Sequence, residues 1–253
     1  MNYQSMCEQL VVISQQACAA IHQAQQQGLQ IRTKPDRSVV TNADIASEAV
    51  IVTALRSLYP TLPVVSEEEH SSGKRVGWDQ TVWFVDPLDS TRGFAYGSTD
   101  YAVCIGLVHQ GQAIVGAVAV PHTGEVFVGS VPDGTAFRVD AQNRKHAISA
   151  RVTRDTENVI VHSSSESMTA QKLRDPHRNF VARGSAIKFA MVAQGEAAVY
   201  PRAGQLCHWD IAAGDALVTA AGGSVCDTQG RPLRYVEDTI WQPPFVARAA
   251  TMQ

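Results

Sequence analysis

The 253-residue sequence predicts an α/β protein, with an α+β half over residues 1–150 and a smaller α/β half over 151–253. Three observations point there. Two helical patterns open the chain, strand-like runs separated by turns fill its middle, and strand and helix patterns alternate after about residue 157. A chain of this length can bury a large core as one domain or two closely packed ones.

Composition narrows the function classes. Hydrophobic residues make up 45% of the chain and the net charge is -3, with no Lys/Arg block. Neither a nucleic-acid polymer nor a membrane surface is therefore an expected partner, whereas a small charged ligand stays open. The five cysteines, Cys7, Cys18, Cys104, Cys207 and Cys226, are odd in number and lack C-x-x-C spacing, so reduced thiols are expected. No basic segment precedes an apolar core at the N-terminus, and no apolar run reaches spanning length, so a cytoplasmic protein without a transmembrane segment is expected.

Residues 5–27 carry Cys7, Leu10, Val11, Ser14, Ala17, Cys18 and Ile21 at the three-and-four spacing of one helical face. Thr41 is a candidate N-cap for a second helix over 43–58, with Ile45, Ala49, Val52 and Leu55 as its apolar face and Tyr59-Pro60 as its stop. Asp44 falls in its first turn, where the helix dipole favours a carboxylate in any protein. Residues 62–65 read as a short strand running into Ser66-Glu67-Glu68-Glu69. Three acids in a row make either a solvated surface or, at a sheet edge, a site.

Residues 81–94 read T-V-W-F-V-D-P-L-D-S-T-R-G-F and form the centre of the chain. Val82 to Val85 are β-branched or aromatic, as in a strand buried on both faces. Pro87 lacks an N–H and holds its predecessor extended, so the ladder should end at Asp86 and the chain turn before Asp89. Ser90 and Thr91 are good N-cap residues, so helix amides would point back at the two carboxylates. D-P-x-D alone reads equally as a strand end with an Asx-type turn or, with acids that bind hard cations beside amides that bind phosphate, as half of a magnesium site whose other half is substrate.

Residues 101–130 alternate strands and turns as an antiparallel meander, 134–139 add a strand, and A-Q-N-R-K-H makes a turn before a soft boundary at 149–157. Beyond it come a strand at 159–162, a helix at 167–174, and a helix at 184–194 with Ile187, Met191 and Val192 inward. A strand at 197–200, a small-residue helix at 209–221 ended by Gly222-Gly223, and a final strand at 224–226 complete the chain. Asp210, in the first turn of that last helix, is the remaining candidate ligand, followed by A-A-G residues that permit close backbone approach.

S-E-E at 66–68, D-P-L-D-S-T at 86–91 and W-D-I-A-A-G at 209–214 resemble the three signature motifs of the inositol monophosphatase family, in its order, and T-N-A-D at 41–44 resembles a fourth. The resemblance spans nearly the whole chain and implies an αβαβα layered sandwich, like that of fructose-1,6-bisphosphatase, with the site in the cleft between the halves. Residues 184–202, with Ser-x-x-Lys-Phe and Tyr-Pro-Arg, look most like the 3'(2'),5'-bisphosphate nucleotidase branch associated with sulfate assimilation. That branch hydrolyses adenosine 3',5'-bisphosphate to AMP and phosphate.

Carried over by motif, the resemblance implies that Glu67, Asp86, Asp89, Asp210 and the Leu88 carbonyl hold Mg2+, with Asp86 shared between two ions. Glu67 and Thr91 would orient the attacking water, and Asp44 would support Thr91 and a further metal. The amides of Ser90 and Thr91 would receive the scissile phosphate. Ser185, Lys188 and Arg202 would face the rest of the nucleotide, with Asp210 also bordering it. Sensitivity to lithium and a monomeric or homodimeric state are likewise implied.

Two departures stand out. Serine occupies position 90 where the family usually has glycine. The branch's histidine after the V-I-V-H strand aligns with Ser165 or Glu166, and His162 lies close by. The second departure keeps an inositol-phosphate or sugar-phosphate phosphatase as the alternative reading, and an inactive ligand- or partner-binding member as a third.

Overall fold

The computed structural model describes residues 1–164 and 177–250. Helix α1 (Tyr3–Gln26) and helix α2 (Asn42–Leu58), joined by the antiparallel hairpin β1 (Ile31–Thr33) and β2 (Val39–Thr41), cover one face of a seven-stranded sheet. The inward stripe of α1 includes Met6, Leu10, Ile13, Ala17, Ile21 and Ala24. Val11 is only half-buried, because it lies about 100° around the helix from Leu10.

The face of α2 differs from the expected one. Ile45 is 52% exposed and Ala49 is also exposed, while Asp44, Ser47 and Glu48 are buried with Ile51, Val52 and Leu55. The helix turns its polar side inward because each buried polar group finds a partner there. Ser47 Oγ donates to Pro87 O at 2.7 Å, and a Glu48 carboxylate oxygen accepts from the amides of Glu68 at 3.0 Å and Glu69 at 3.2 Å.

The sheet runs in order from β3 (Val64–Ser66) through β4 (Thr81–Asp89), β5 (Ala102–His109), β6 (Gln112–Val120), β7 (Glu125–Ser130) and β8 (Thr135–Val139) to β9 (Lys145–Ala147). All its pairs are antiparallel except β3 with β4. In β4, Val82 and Phe84 enter one core while Trp83 and Val85 enter the other, the two-residue alternation of a strand covered on both sides. Strand β9 replaces part of the expected polar turn. Asp140 accepts from the amides of Gln142 and Arg144, and Asn143 adopts φ 60°, so the turn closes early and frees Lys145 to pair with Val139.

The second sheet has the order β11 (Asn179–Arg183), β10 (Val159–Ser163), β12 (Val199–Arg202), β16 (Phe245–Arg248), β14 (Ser224–Asp227). A ribbon of β13 (Leu206–Cys207) and β15 (Trp241–Gln242) lies apart. Strands β11, β13, β15 and β16 were not expected from the sequence, and β14 is not the last strand. They are two to five residues long, too short to show a period. The helix expected over 167–174 lies outside the described residues.

Helix α5 (Ile187–Ala193) is shorter than the expected 184–194, because Ser185 adopts φ 58° and residues 184–186 form a turn. Lys188 and Phe189 are buried with Val192, whereas Ile187 and Met191 are half-buried. Helix α6 (His208–Ala220) packs between the two sheets and lies against β5 and β6. A Cβ on Gly116 would stand 2.1 Å from Ala213 O, and one on Gly106 would stand 2.7 Å from Ala213 N. The glycines let α6 sit almost backbone to backbone on the sheet. The layers are thus α1/α2, seven-stranded sheet, α5/α6 and five-stranded sheet. Among the described residues no helix is long and apolar enough to cross a membrane.

Candidate active site

Strand register brings the acids together. Because β3 and β4 run parallel with Ser66 opposite Val85, Glu67 and Asp86 leave the same end of the sheet side by side. Helix α3 (Glu67–Ser71) starts at that edge, and Glu48 caps its first amides. Strand β4 does not end at Asp86. Its pairing with β5 is interrupted after Asp86, where Pro87 supplies no donor, and resumes at Asp89 opposite Ala102. The Asp86 carboxylate accepts from the Leu88 amide at 3.0 Å inside that irregularity.

From the opposite direction α6 delivers Asp210. Its Oδ2 accepts from the Cys207 amide at 2.6 Å, capping the helix. One carboxylate oxygen each from Glu67, Asp86 and Asp210 lies within 4.8 Å of the others. Asp89 stands at the edge of this trio. Its Oδ2 accepts from Ser185 Oγ at 2.8 Å and from the Ala186 amide at 2.5 Å, tying β4 to the turn before α5.

Burial and mutual repulsion shape the electrostatics of the trio. Burial, then the carboxylates of Glu67, Asp89 and Asp210, push Asp86 well above the ordinary carboxylate range. Burial followed by Asp89 and Glu67 does the same to Asp210, against the pull of the Cys207 amide. Glu67 is also raised by burial, with Lys34 opposing. A divalent cation would relieve that repulsion, and an all-carboxylate oxygen set suits a hard ion such as magnesium or calcium.

Thr91 lies where the sequence places it. Helix α4 (Thr91–Ala95) begins at the end of β4, and Thr91 Oγ1 lies 2.7 Å from Asp44 Oδ1 and 2.9 Å from Leu88 O. Asp44 is itself fixed by Thr41, whose amide and hydroxyl reach Asp44 Oδ2 at 2.8 and 2.6 Å. Burial raises its carboxyl despite those hydrogen bonds. Ser90 adopts φ 78°, ψ 36°, the left-handed region that glycine occupies without penalty.

Beside the trio a pocket of 180 Å³ is lined by Asp89, Ser90, Ser185, Lys188, Arg202 and Asp210, among others. Lys188 is 4% exposed, and its ammonium donates to the Ser185 carbonyl and sits 5.1 Å from the Tyr200 ring centroid. Strand alternation turns Ser163 into this pocket and His162 away from it, with His162 Nδ1 3.0 Å from Ser163 O and its ring near Phe180. Residues 165 and 166 lie outside the described residues.

A second cleft of 430 Å³, sharing Asp210 with the first, is lined by Glu67, Lys34, Arg75 and Trp241, among others. A larger cavity, 1150 Å³, lies between the start of α1 and the end of α6 and holds no comparable acid cluster.

Several partners of the site escape sequence reading. Lys34, between β1 and β2, donates to Glu67 at 2.8 Å and to Glu68 at 2.7 Å with a side chain only 7% exposed. Burial lowers its affinity for the proton, but the two carboxylates outweigh that and the ammonium is held charged. Glu68 is pushed up to about 7 by burial and by Glu67. Lys34 precedes Glu67 by 33 positions, so no local spacing announces it, and Glu48 looks like an ordinary helix-surface acid.

A model of the inositol monophosphatase family matches residues 2–250. The chain belongs to the inositol monophosphatase family. Within that family it is 36% identical over 245 residues to a 3'(2'),5'-bisphosphate nucleotidase CysQ of Escherichia coli K12, covering 95% of this chain and 98% of the relative. A Haemophilus influenzae protein of the same description is 28% identical over 95% of this chain and 91% of the relative. The crystal structure of CysQ from Bacteroides thetaiotaomicron superposes with a TM-score of 0.81 at 27% identity, covering 98% of both chains. The suhB protein of Bartonella henselae superposes at 0.77 with 26% identity, covering 97% of this chain and 94% of that one. The family accounts for the layered fold and for the convergence of its motifs at one cleft.

Proposed function

We propose that the protein is a magnesium-dependent phosphomonoesterase that hydrolyses adenosine 3',5'-bisphosphate to AMP and phosphate. One observation carries the reading: the Glu67, Asp86 and Asp210 trio borders a pocket whose walls hold Lys188 and Arg202. Acids for cations and cations for a second phosphate line one pocket, and the relatives named as bisphosphate nucleotidases support the choice.

Glu67, Asp86 and Asp210, with Asp89 and the Leu88 carbonyl, would hold the magnesium ions. Bound magnesium supplies Lewis-acid stabilisation of the attacking and leaving oxygens of an in-line displacement and makes water a better nucleophile. Thr91 Oγ1, fixed between Asp44 and Leu88 O, orients the water, and Glu67 takes up its proton. The amides of Ser90 and Thr91, at the turn into α4, bind the scissile phosphate. Lys188 and Arg202 face the 5'-phosphate, while Ser185 holds Asp89 in place across the cleft.

Phosphate release from adenosine 3',5'-bisphosphate and from inositol 1-phosphate, compared side by side with magnesium, tests the reading. A strong preference for the nucleotide is expected. Preference for the inositol ester would keep the metal site but remove Lys188 and Arg202 from substrate recognition. Lithium at millimolar concentration should inhibit, and unchanged turnover there would count against the carried-over site.

A further inference from the structure

Asp210 sits in the first turn of α6, where its carboxylate and the Cys207 thiol, a weak hydrogen-bonding group, form a reciprocal capping box. A segment from late in the chain adds further contacts to this turn. The His208 amide donates to Ile240 O at 2.8 Å, and Leu206 and Cys207 pair with Gln242 and Trp241. The His208 side chain is completely buried and spans the same segment, with Nε2 3.2 Å from Val236 O and Nδ1 3.2 Å from Gln242 Nε2. Gln242 Nε2 also donates to Arg234 O at 2.9 Å, and Gln242 is 1% exposed.

One tautomer satisfies every one of these contacts: Nε2–H donating to Val236 O, and Nδ1 accepting from Gln242. The clamp is therefore directional. Residues two apart on an α-helix point about 200° from each other, so a ring held at 208 between the 234–242 segment and the rings of Phe84 and Tyr235 fixes the rotation that aims 210 at the trio. Asp210 Oδ2 accepts from the Cys207 amide, and an oxygen of the same carboxylate lies within 4.8 Å of Glu67 and Asp86, so a modest rotation of this turn carries it away from the trio.

We propose that His208 and Gln242 are positioning residues for Asp210, holding the first turn of α6 at the rotation that completes the carboxylate trio. The inference rests on the trio being a divalent-cation site. It assigns a function to a C-terminal segment that none of the site motifs includes.

The test measures Mn2+ binding by titration calorimetry in the full-length protein, together with thermal unfolding in EDTA and the magnesium dependence of phosphate release. The variants are His208→Phe, Gln242→Leu and His208→Gln. His208→Phe and Gln242→Leu should each weaken Mn2+ binding about tenfold, with a rise in magnesium requirement larger than any fall in kcat. His208→Gln, which keeps an amide in place of the ring nitrogens, should recover most of the affinity. If His208→Phe fails to fold, Gln242→Leu, close to isosteric, carries the comparison. Mn2+ affinity within twofold of wild type in the folded variants, with only a lower melting temperature in EDTA, would overturn the proposal. Failure of the wild-type protein itself to bind Mn2+ would overturn the metal-site reading on which it rests.

Discussion

Asp89 combines a proposed role in chemistry with an observed one in assembly. Its carboxylate borders the trio and also accepts from Ser185 and Ala186, joining the first sheet to the turn before α5. Asp89→Asn removes the charge with little change in volume, so turnover should fall at least ~100-fold, as when a reacting group is misplaced or a charge partner lost. Circular dichroism should show the fold retained; near-normal turnover would remove Asp89 from the site. Ser90 tests backbone rather than charge. At φ 78° a β-branched residue is strained, so Ser90→Val should cost ~1–2 kcal/mol in urea unfolding. Ser90→Gly should be tolerated without loss of turnover, since glycine reaches that conformation freely.

The elements that aim the acids depend on close packing. Helix α6 lies on β6 with no room for a side chain at Gly116, so Gly116→Ala forces the helix off the sheet. Overpacking of this kind costs ~1–3 kcal/mol, and it should weaken Mn2+ binding as well because Asp210 rides on the helix. Equal metal affinity in that variant would show that α6 need not be seated for the site to form. The long elements were legible in the sequence because their periods are: α1, the β4 run and the meander each bury a regularly recurring, mostly apolar set. The face of α2 was not. Ile45 and Ala49 looked inward by hydrophobicity, but Asp44, Ser47 and Glu48 find partners in Thr91, Pro87 and the start of α3, contacts that no local pattern contains. The acids Glu67, Asp86, Asp89 and Asp210 stood out as motifs. Lys34, and the clamp of His208 and Gln242, arise only when distant segments meet.

At the scale of the whole molecule, stability against pH reports the cost of buried acids. Asp215 faces Tyr235, whose hydroxyl donates to it at 2.9 Å, and burial lifts its carboxyl to about 7. The unfolded chain releases this proton near pH 4 while the folded chain keeps it, so stability falls as pH rises from about 4 to about 7. Asp215→Asn keeps an acceptor for Tyr235 and removes that penalty. In EDTA its stability relative to wild type should therefore climb between pH 5 and pH 8, by on the order of 3 kcal/mol. Parallel curves for the two proteins would show that Asp215 carries no penalty.

At Glu67, Asp86 and Asp210 burial is joined by crowding of acids, which a divalent cation would neutralise where β3, β4 and α6 meet. Its most direct test is a magnesium titration of phosphate release from adenosine 3',5'-bisphosphate, starting from EDTA-treated protein, with Asp86→Asn run alongside. Release should be absent in EDTA, rise to saturation with added magnesium, and stay near zero at every magnesium concentration in Asp86→Asn. Full release in EDTA, or a magnesium response in Asp86→Asn equal to that of wild type, would contradict a metal site at these carboxylates.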